Sequence, residues 1–294
     1  MRQIQQRTDF MNLSEVVSVK NMRESDAHTI AEHTTSAELM HRAAHGIFDA
    51  AQFRGKVAIV CGKGNNGGDG YALACILLEH GITPTVFRVS DSFSPDGMYY
   101  YKTAMSLGAE EGSISVPAAL NGFDIVVDCL LGTGFSGTVR GEIKTAIELI
   151  NASGAYVISA DINSGINGDT GVAEIAVNSD LTVSIGAYKT GMFLNDAPYF
   201  IDKLTNADIG IHIIKDEYKL IDFEHLHMFE GYNSCVMTTE EFFEKSGYSP
   251  DSCNIAECIA ELSRKERRTY VVKTEHSAVI ADLKYVYFCA DYIK

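Results

Sequence analysis

The stretch Gly62-Lys63-Gly64-Asn65-Asn66-Gly67-Gly68-Asp69-Gly70 lies between two apolar runs, Val57-Ala58-Ile59-Val60-Cys61 and Tyr71-Ala72-Leu73-Ala74-Cys75-Ile76-Leu77-Leu78. The first run reads as a buried strand and the second as a helix ending at Gly81, so the residues between them read as a strand-to-helix turn. Five of its nine residues are glycine, which permits positive φ and lets another group approach the backbone closely. The helix that follows turns its free N–H groups and positive dipole end towards the loop, an arrangement suited to an anion such as a phosphate. A Walker A loop is excluded, because Lys63 comes before the last glycine rather than after it. Gly62, Gly64 and Gly67 satisfy the dinucleotide pattern G-x-G-x-x-G, which is weak on its own. The Asn-Asn-Gly-Gly-Asp core adds amides and a carboxylate that phosphate binding does not need. A lone N-G or D-G pair reads as a tight turn with a capping Asp; the whole string at a strand-to-helix switch reads as a site.

Outward from this turn the chain keeps one rhythm. Strand-like runs at 57–61, 85–89, 125–129, 156–161 and 181–185 alternate with helix-like runs at 71–80, 98–107 and 142–150. The strands are short, rich in β-branched residues and apolar on both faces, as in a parallel sheet covered on each side. The alternation predicts a doubly wound, Rossmann-like α/β fold. Upstream, residues 1–17 read as a loosely held arm, and 21–33 as a helix whose apolar positions are Met22, Ala27 and Ile30. Thr35-Ser36-Ala37-Glu38 reads as the start of a second helix with an apolar face of Leu39, Met40, Ala43, Ala44, Ile47 and Phe48. Beyond residue 220 the chain becomes more charged, which places an expected boundary between a domain over 1–220 and a small α/β appendage over 221–294.

A chain of 294 residues with 46% hydrophobic residues can bury a sizeable core. Its net charge of −15 argues against nucleic acid or an anionic membrane as the main partner. The seven cysteines follow no metal spacing such as C-x-x-C and read as reduced thiols of a cytoplasmic protein. The N-terminal residues 1–7 contain no apolar signal core, and no apolar run is long enough to span a membrane.

In an open parallel sheet the ligand binds at the carboxyl ends of the strands. Three segments fall there: the glycine-rich turn; Asp128-Cys129-Leu130-Leu131-Gly132-Thr133-Gly134-Phe135-Ser136-Gly137-Thr138; and Asp161-Ile162-Asn163-Ser164-Gly165. Each puts an Asp where an apolar strand gives way to a glycine turn. Gly132-Thr133-Gly134 adds a second backbone nest for an anion.

These three segments, together with Gly186-Ala187-Tyr188-Lys189-Thr190-Gly191, Asn21-Met22-Arg23-Glu24-Ser25-Asp26 and Leu39-Met40, resemble the NAD(P)H-hydrate epimerase family, also called the YjeF N-terminal domain family. The resemblance covers roughly residues 18 to 215 in the family's own order. It implies a three-layer α/β/α sandwich, a homodimer, and epimerisation at C6 of NADHX and NADPHX, the hydrated nicotinamide cofactors. A separate dehydratase would then restore NAD(P)H. It further implies that Asn65, Asn66, Gly67, Gly68 and Asp69, the stretch Gly132, Thr133, Gly134, Phe135, Ser136, Gly137 and Thr138, and Asp161 contact the substrate. Positions matching Asn66, Asp128 and Ser164 would hold a potassium ion. Amide, carboxylate and hydroxyl oxygens are hard ligands, and a single charge among them suits a monovalent cation better than Ca²⁺.

Loss of hydroxide from C6, pushed by the ring nitrogen, would give a flat iminium ion that water attacks from the other face. A group must protonate the leaving oxygen and deprotonate the incoming water. Asp161 is the first candidate, and Lys189 is either a second or a solvated strand-end lysine. The sequence departs from the family at Asn163 and Tyr188, where Pro is usual, and at His41, where Glu is usual; His41 reads as structural. The tail is too short for a fused dehydratase and lacks its G-T-G-D turn, although Thr238-Thr239-Glu240-Glu241-Phe242 and the segment around Val271-Val272-Lys273-Thr274 faintly resemble part of one. An ordinary NAD(P)-dependent oxidoreductase, with Asp91 as its ribose-binding acid, and a non-catalytic nucleotide-binding protein are the competing readings.

Overall fold

The computed structural model describes residues 14–248 and 254–293. Seven strands form one wholly parallel sheet: β2 (Val57–Cys61), β3 (Thr85–Arg88), β4 (Glu110–Gly112), β5 (Ile125–Cys129), β6 (Tyr156–Ala160), β7 (Leu181–Ile185) and β9 (Leu204–Ala207). They run in the order β4-β3-β2-β5-β6-β7-β9. The order turns back between β2 and β5, and the carboxyl ends on either side of that turn carry the glycine-rich segments. Alternation along β2 sorts its side chains by face. Val57, Ile59 and Cys61 join a core with helices α2 (Ser36–Ala50), α3 (Asn65–Glu79) and α4 (Pro95–Leu107). Ala58 and Val60 join a core on the other face with α5 (Gly141–Asn151). This is the expected three-layer α/β/α sandwich.

Helix α1 (Val19–Glu32) departs from its expected apolar face: Ala27 and Ile30 are exposed, and its buried side is Asn21, Met22, Ser25 and Thr29. The polar three, spaced four apart, bond to an extended segment instead of packing on side chains. Asn21 Nδ2 donates to Lys215 O (2.6 Å), Ser25 Oγ accepts from Ile214 N (3.1 Å) and Thr29 Oγ1 accepts from His212 N (3.0 Å).

A second, mixed sheet has the order β11-β12-β13-β14-β10-β1-β8. Its strands are β1 (Glu15–Val17), β8 (Tyr188–Lys189), β10 (Tyr218–Leu220), β11 (Ser234–Thr238), β12 (Thr269–Lys273), β13 (Ser277–Ala281) and β14 (Val286–Ala290). Residues 1–13 of the expected loose arm lie outside the described residues. Its end is no arm: Val16 and Val17 are fully buried, and β1 pairs antiparallel with β10 and parallel with β8. Helices α6 (Thr239–Ser246) and α7 (Ile255–Glu266) cover the second sheet through Phe242, Ile255, Ala256 and Ile259. That core also takes in Ile162, Tyr188, Met192, Phe193 and Leu204 from earlier in the chain. Two buried bonds tie the tail to the 3₁₀ turn Thr190–Phe193: Tyr292 Oη to Met192 O and Ser277 Oγ to Phe193 O, each 2.7 Å.

Among the described residues, no helix is long and apolar enough to cross a membrane. Cys61, Cys75, Cys129, Cys235 and Cys289 are free thiols, but Cys258 is disulfide-bonded, which departs from the expectation of reduced thiols throughout.

Candidate active site

Asp161 follows β6 directly and takes a left-handed conformation (φ 68). Such a conformation costs a non-glycine residue ~1–3 kcal/mol and tends to occur at functional sites. One carboxylate oxygen accepts from Lys189 Nζ at 2.5 Å, the other from the backbone N–H of Thr133 at 3.0 Å. Lys189 is wholly buried and also donates to Ile185 O (2.8 Å) and Ser184 Oγ (3.2 Å). An ammonium group has three protons, and all three are used here. A buried charge persists only when it is paired and hydrogen-bonded. The reading of Lys189 as a solvated strand-end lysine is therefore overturned.

The glycine-rich turn is shorter than the sequence suggests. Helix α3 begins at Asn65, so Asn65 to Gly70 are helical, and none of the five glycines has positive φ. Glycine and asparagine are poor helix formers, but close packing decides the matter here. A Cβ on Gly62 would lie 1.9 Å from Leu130 O, one on Gly67 2.0 Å from Gly62 O, and one on Gly68 2.4 Å from Met40 Cε. Gly62→Ala should therefore lower stability by ~1–3 kcal/mol, as overpacking does. Gly64→Ala, where nothing lies within 4 Å, should change it by less than ~1 kcal/mol. Urea denaturation of the two variants checks the contrast; equal losses would mean that close approach is not the reason for glycine at 62.

A cavity of about 870 Å³ opens at this edge of the sheet. Residues of α1 and α2 line one side, and the start of α3 and the loop at 130–136 line the other. Of the expected site residues, Asn65, Asn66, Asp69, Gly132, Thr133, Gly134, Phe135, Ser136 and Asp161 reach it. Gly67, Gly68, Gly137 and Thr138 do not line it, and Lys189 stands behind Asp161. The N-cap of α3, Gly64, has no side-chain cap, so the first N–H groups of the helix are left free for a ligand. Asp91, the acid of the oxidoreductase reading, is exposed, pairs with Arg88 at 3.2 Å and does not line the cavity.

Asp128 and Ser164 lie beneath the loop, fully buried. Ser164 Oγ donates to Asp128 Oδ1 (2.6 Å), and Asp128 Oδ2 accepts from Ser164 N (2.9 Å) and Ser159 Oγ (3.0 Å). Leu131 N donates to Ser164 Oγ at 2.8 Å, which fixes the loop above them. Asn66 stands apart. Both polar atoms of its amide are buried and have no partner among the described residues. Gly132 gives it room, since a Cβ there would meet Asn66 Cβ at 3.3 Å and Asp161 Oδ2 at 2.9 Å. Among the described residues, no group of three His, Cys, Asp or Glu could hold a metal ion.

One residue escaped the sequence reading. Asp26 lines the cavity from α1, in a row with Met22 and Ile30 at i±4. That spacing was a usable signal, but a single Asp between apolar residues reads as part of a solvated face. Burial raises its carboxyl to about 6, with Lys189 pulling it down and Asp161 pushing it up. Asp69 is held well above the carboxylate range, first by burial, then by the charges of Asp161 and Asp26, with Lys189 opposing. Burial also raises Asp128, against the hydrogen bonds from Ser164, Leu130 and Ser159.

The departures from the family have structural uses. Asn163 is fully buried and satisfied: the two protons of Nδ2 are shared among Val177 O, Ser179 Oγ and Phe200 O at 2.8 to 2.9 Å, and Oδ1 accepts from Thr182 Oγ1. Tyr188 packs edge-on against Phe193 in the second core. His41 rests against His45 and Tyr100.

Residues 36–191, just over half of the chain, match the family described as YjeF-related protein N-terminus. The NAD(P)H-hydrate epimerase of Limosilactobacillus fermentum is 32% identical over 200 residues, covering 66% of this chain and 96% of that protein. The Bifunctional NAD(P)H-hydrate repair enzyme Nnr of Coxiella burnetii is 34% identical over 203 residues, covering 65% of this chain but only 41% of the longer relative. The crystal structure of yeast ynu0 (YNL200c) superposes with a TM-score of 0.57 at 22% identity, over 65% of this chain and 87% of the yeast chain, a likeness of fold. The glycine-rich turn, the 132–134 nest and the Asp161–Lys189 pair all fall inside the matched region, and the chain belongs to the family of the YjeF-related protein N-terminus.

Proposed function

We propose that this chain is an isomerase that interconverts the R and S epimers of NADHX and NADPHX at C6. The observation that carries the reading is the Asp161 carboxylate, fixed between Lys189 Nζ and the Thr133 N–H on a cavity large enough for a nucleotide. The uncapped start of α3 and the 132–134 stretch are the groups we assign to the phosphate oxygens. Asp161, held by Lys189, is the group we assign to proton transfer at the C6 oxygen. The remaining expected contact residues, Gly67, Gly68, Gly137 and Thr138, act through the backbone they shape.

A potassium ion fits the residues present. Asn66 offers a buried, unpartnered amide oxygen, and Asp128 and Ser164 add one charged and one neutral oxygen close by one another. When bound, the ion supplies positive charge that offsets the buried Asp128 carboxylate. We take the protein to be a cytoplasmic homodimer that works beside a separate dehydratase. We also take residues 1–220 as the epimerase-like part and 221–294 as an appendage, a degenerate dehydratase remnant in origin, locked onto it.

The test is incubation of the purified full chain with each epimer, following interconversion by chromatography with K⁺ present and with K⁺ replaced by a large organic cation. Acceleration over the spontaneous rate, greater with K⁺, is expected. No acceleration under either condition overturns the reading.

A further inference from the structure

Resting on the epimerase reading, the geometry raises a question about faces. Inversion at one carbon needs oxygen to leave from one face of the ring and return on the other. Asp161 and Lys189 form one fixed pair: both carboxylate oxygens are tied, and all the lysine protons are spent. Such a pair attends one side of a bound ring. We propose that Asp26 is a second catalytic residue, a proton carrier serving the opposite face of C6 from helix α1.

Asp26 reaches the cavity from the helix that covers it, whereas Asp161 reaches it from the end of a strand. Met22 and Ile30, one turn away on each side, line the same cavity and make its α1 wall apolar on either side of Asp26. The adjoining side of α1, about 100° round the helix, is pinned by Asn21, Ser25 and Thr29, so the position of Asp26 does not depend on bonds of its own. Among the described residues its carboxyl has no hydrogen-bond or ion-pair partner, unlike that of Asp161, and is free to give and take a proton. The charged groups facing it are Lys189 from β8, Asp161 from the end of β6 and Asp69 from α3. Its raised value of about 6 leaves both protonation states accessible near neutrality, as a proton carrier needs. Asp69, pushed up by burial and by the charges of Asp161 and Asp26, lines the same cavity from α3.

The step balances. The C6–O bond breaks with its electron pair on oxygen, the Asp26 proton joins that oxygen, and water departs as the N1 lone pair forms N1=C6. A second water adds to C6 on the other face, and its proton passes to the Asp161–Lys189 pair. The reverse epimerisation exchanges the two roles, and solvent resets the protons.

The experiment uses the full chain with each purified epimer in H₂¹⁸O, resolving the epimers by chromatography and reading the label by mass spectrometry. Wild type should invert and place ¹⁸O in both epimers. Asp26→Asn, nearly isosteric, should epimerise ~10²–10⁴-fold more slowly, while one epimer still exchanges its C6 oxygen without inverting. Asp161→Asn should spare exchange in the other epimer only. Partial recovery in Asp26→Glu would separate lost chemistry from lost folding. Wild-type epimerisation by Asp26→Asn, equal loss of exchange from both epimers, or inversion by wild type without oxygen exchange overturns the proposal. A wild-type chain that does not epimerise overturns the parent reading as well.

Discussion

Asp161→Asn should lower the rate of epimerisation ~10²–10⁴-fold, the usual contribution of a positioned proton-transfer group. The substitution keeps the shape but removes the charge opposite a wholly buried lysine. Breaking a buried pair by removing one partner costs ~3–5 kcal/mol. Asp161 retains some solvent contact, so the lower end of that range is expected. Adding Lys189→Met should recover most of the stability, because an apolar side chain of similar length replaces the orphaned charge, and none of the activity. Thermal melts and the epimer assay on the single and double variants separate the two roles. Wild-type activity in Asp161→Asn would reduce Asp161 to a binding or capping residue.

A chain ending at Leu220 should fail to give a soluble, cooperatively folding protein. The cut removes β11, β12, β13 and β14, four strands of the second sheet, and strips β10 of its partner β14. It also uncovers Tyr188, Met192, Phe193, Leu204 and Leu220, which lie in one core with Tyr270, Val279 and Phe288. Each buried aliphatic or aromatic side chain so exposed forfeits ~1.5–3 kcal/mol, which several together turn into a loss larger than typical domain stability. Solubility, size-exclusion chromatography and circular dichroism melts of the two chains measure this. A soluble shortened chain with a sharp melt and full activity would show the tail to be dispensable. The full chain should show no ATP- or ADP-dependent dehydration of the hydrate, because the tail holds only Gly231 and Gly247 and no glycine-rich anion nest.

The parallel sheet was legible because its strands are buried on both faces and read as continuous apolar runs bounded by glycine turns. The Asp at the end of β6 was legible for the same reason, since a charge that follows such a run marks the carboxyl edge. What was not legible has physical causes. Strands β1 and β8, of three and two residues, are too short for any periodicity. The first turns of α3 carry residues whose intrinsic preference opposes a helix, and only the tight packing of Gly67 against Gly62 and of Gly68 against Met40 reveals why they form one. Helix α1 docks through hydroxyls and an amide onto main chain, a contact that leaves no apolar stripe to read. Asn163 stands where Pro is usual, and its amide bonds fix the loop by means that the sequence alone does not reveal.

The placement of β1 sets an order of assembly during synthesis. Its register partners lie at residues 188–189 and 218–219, and β10 in turn needs β14. The parallel sheet, complete by residue 207, can close while the rest of the chain is still being made. Strand β1 must wait for β14, and helix α1, with Asp26 on it, begins two residues after β1. A chain stopped short of β14 thus carries the closed parallel sheet while the strand that leads into α1 still lacks its full sheet.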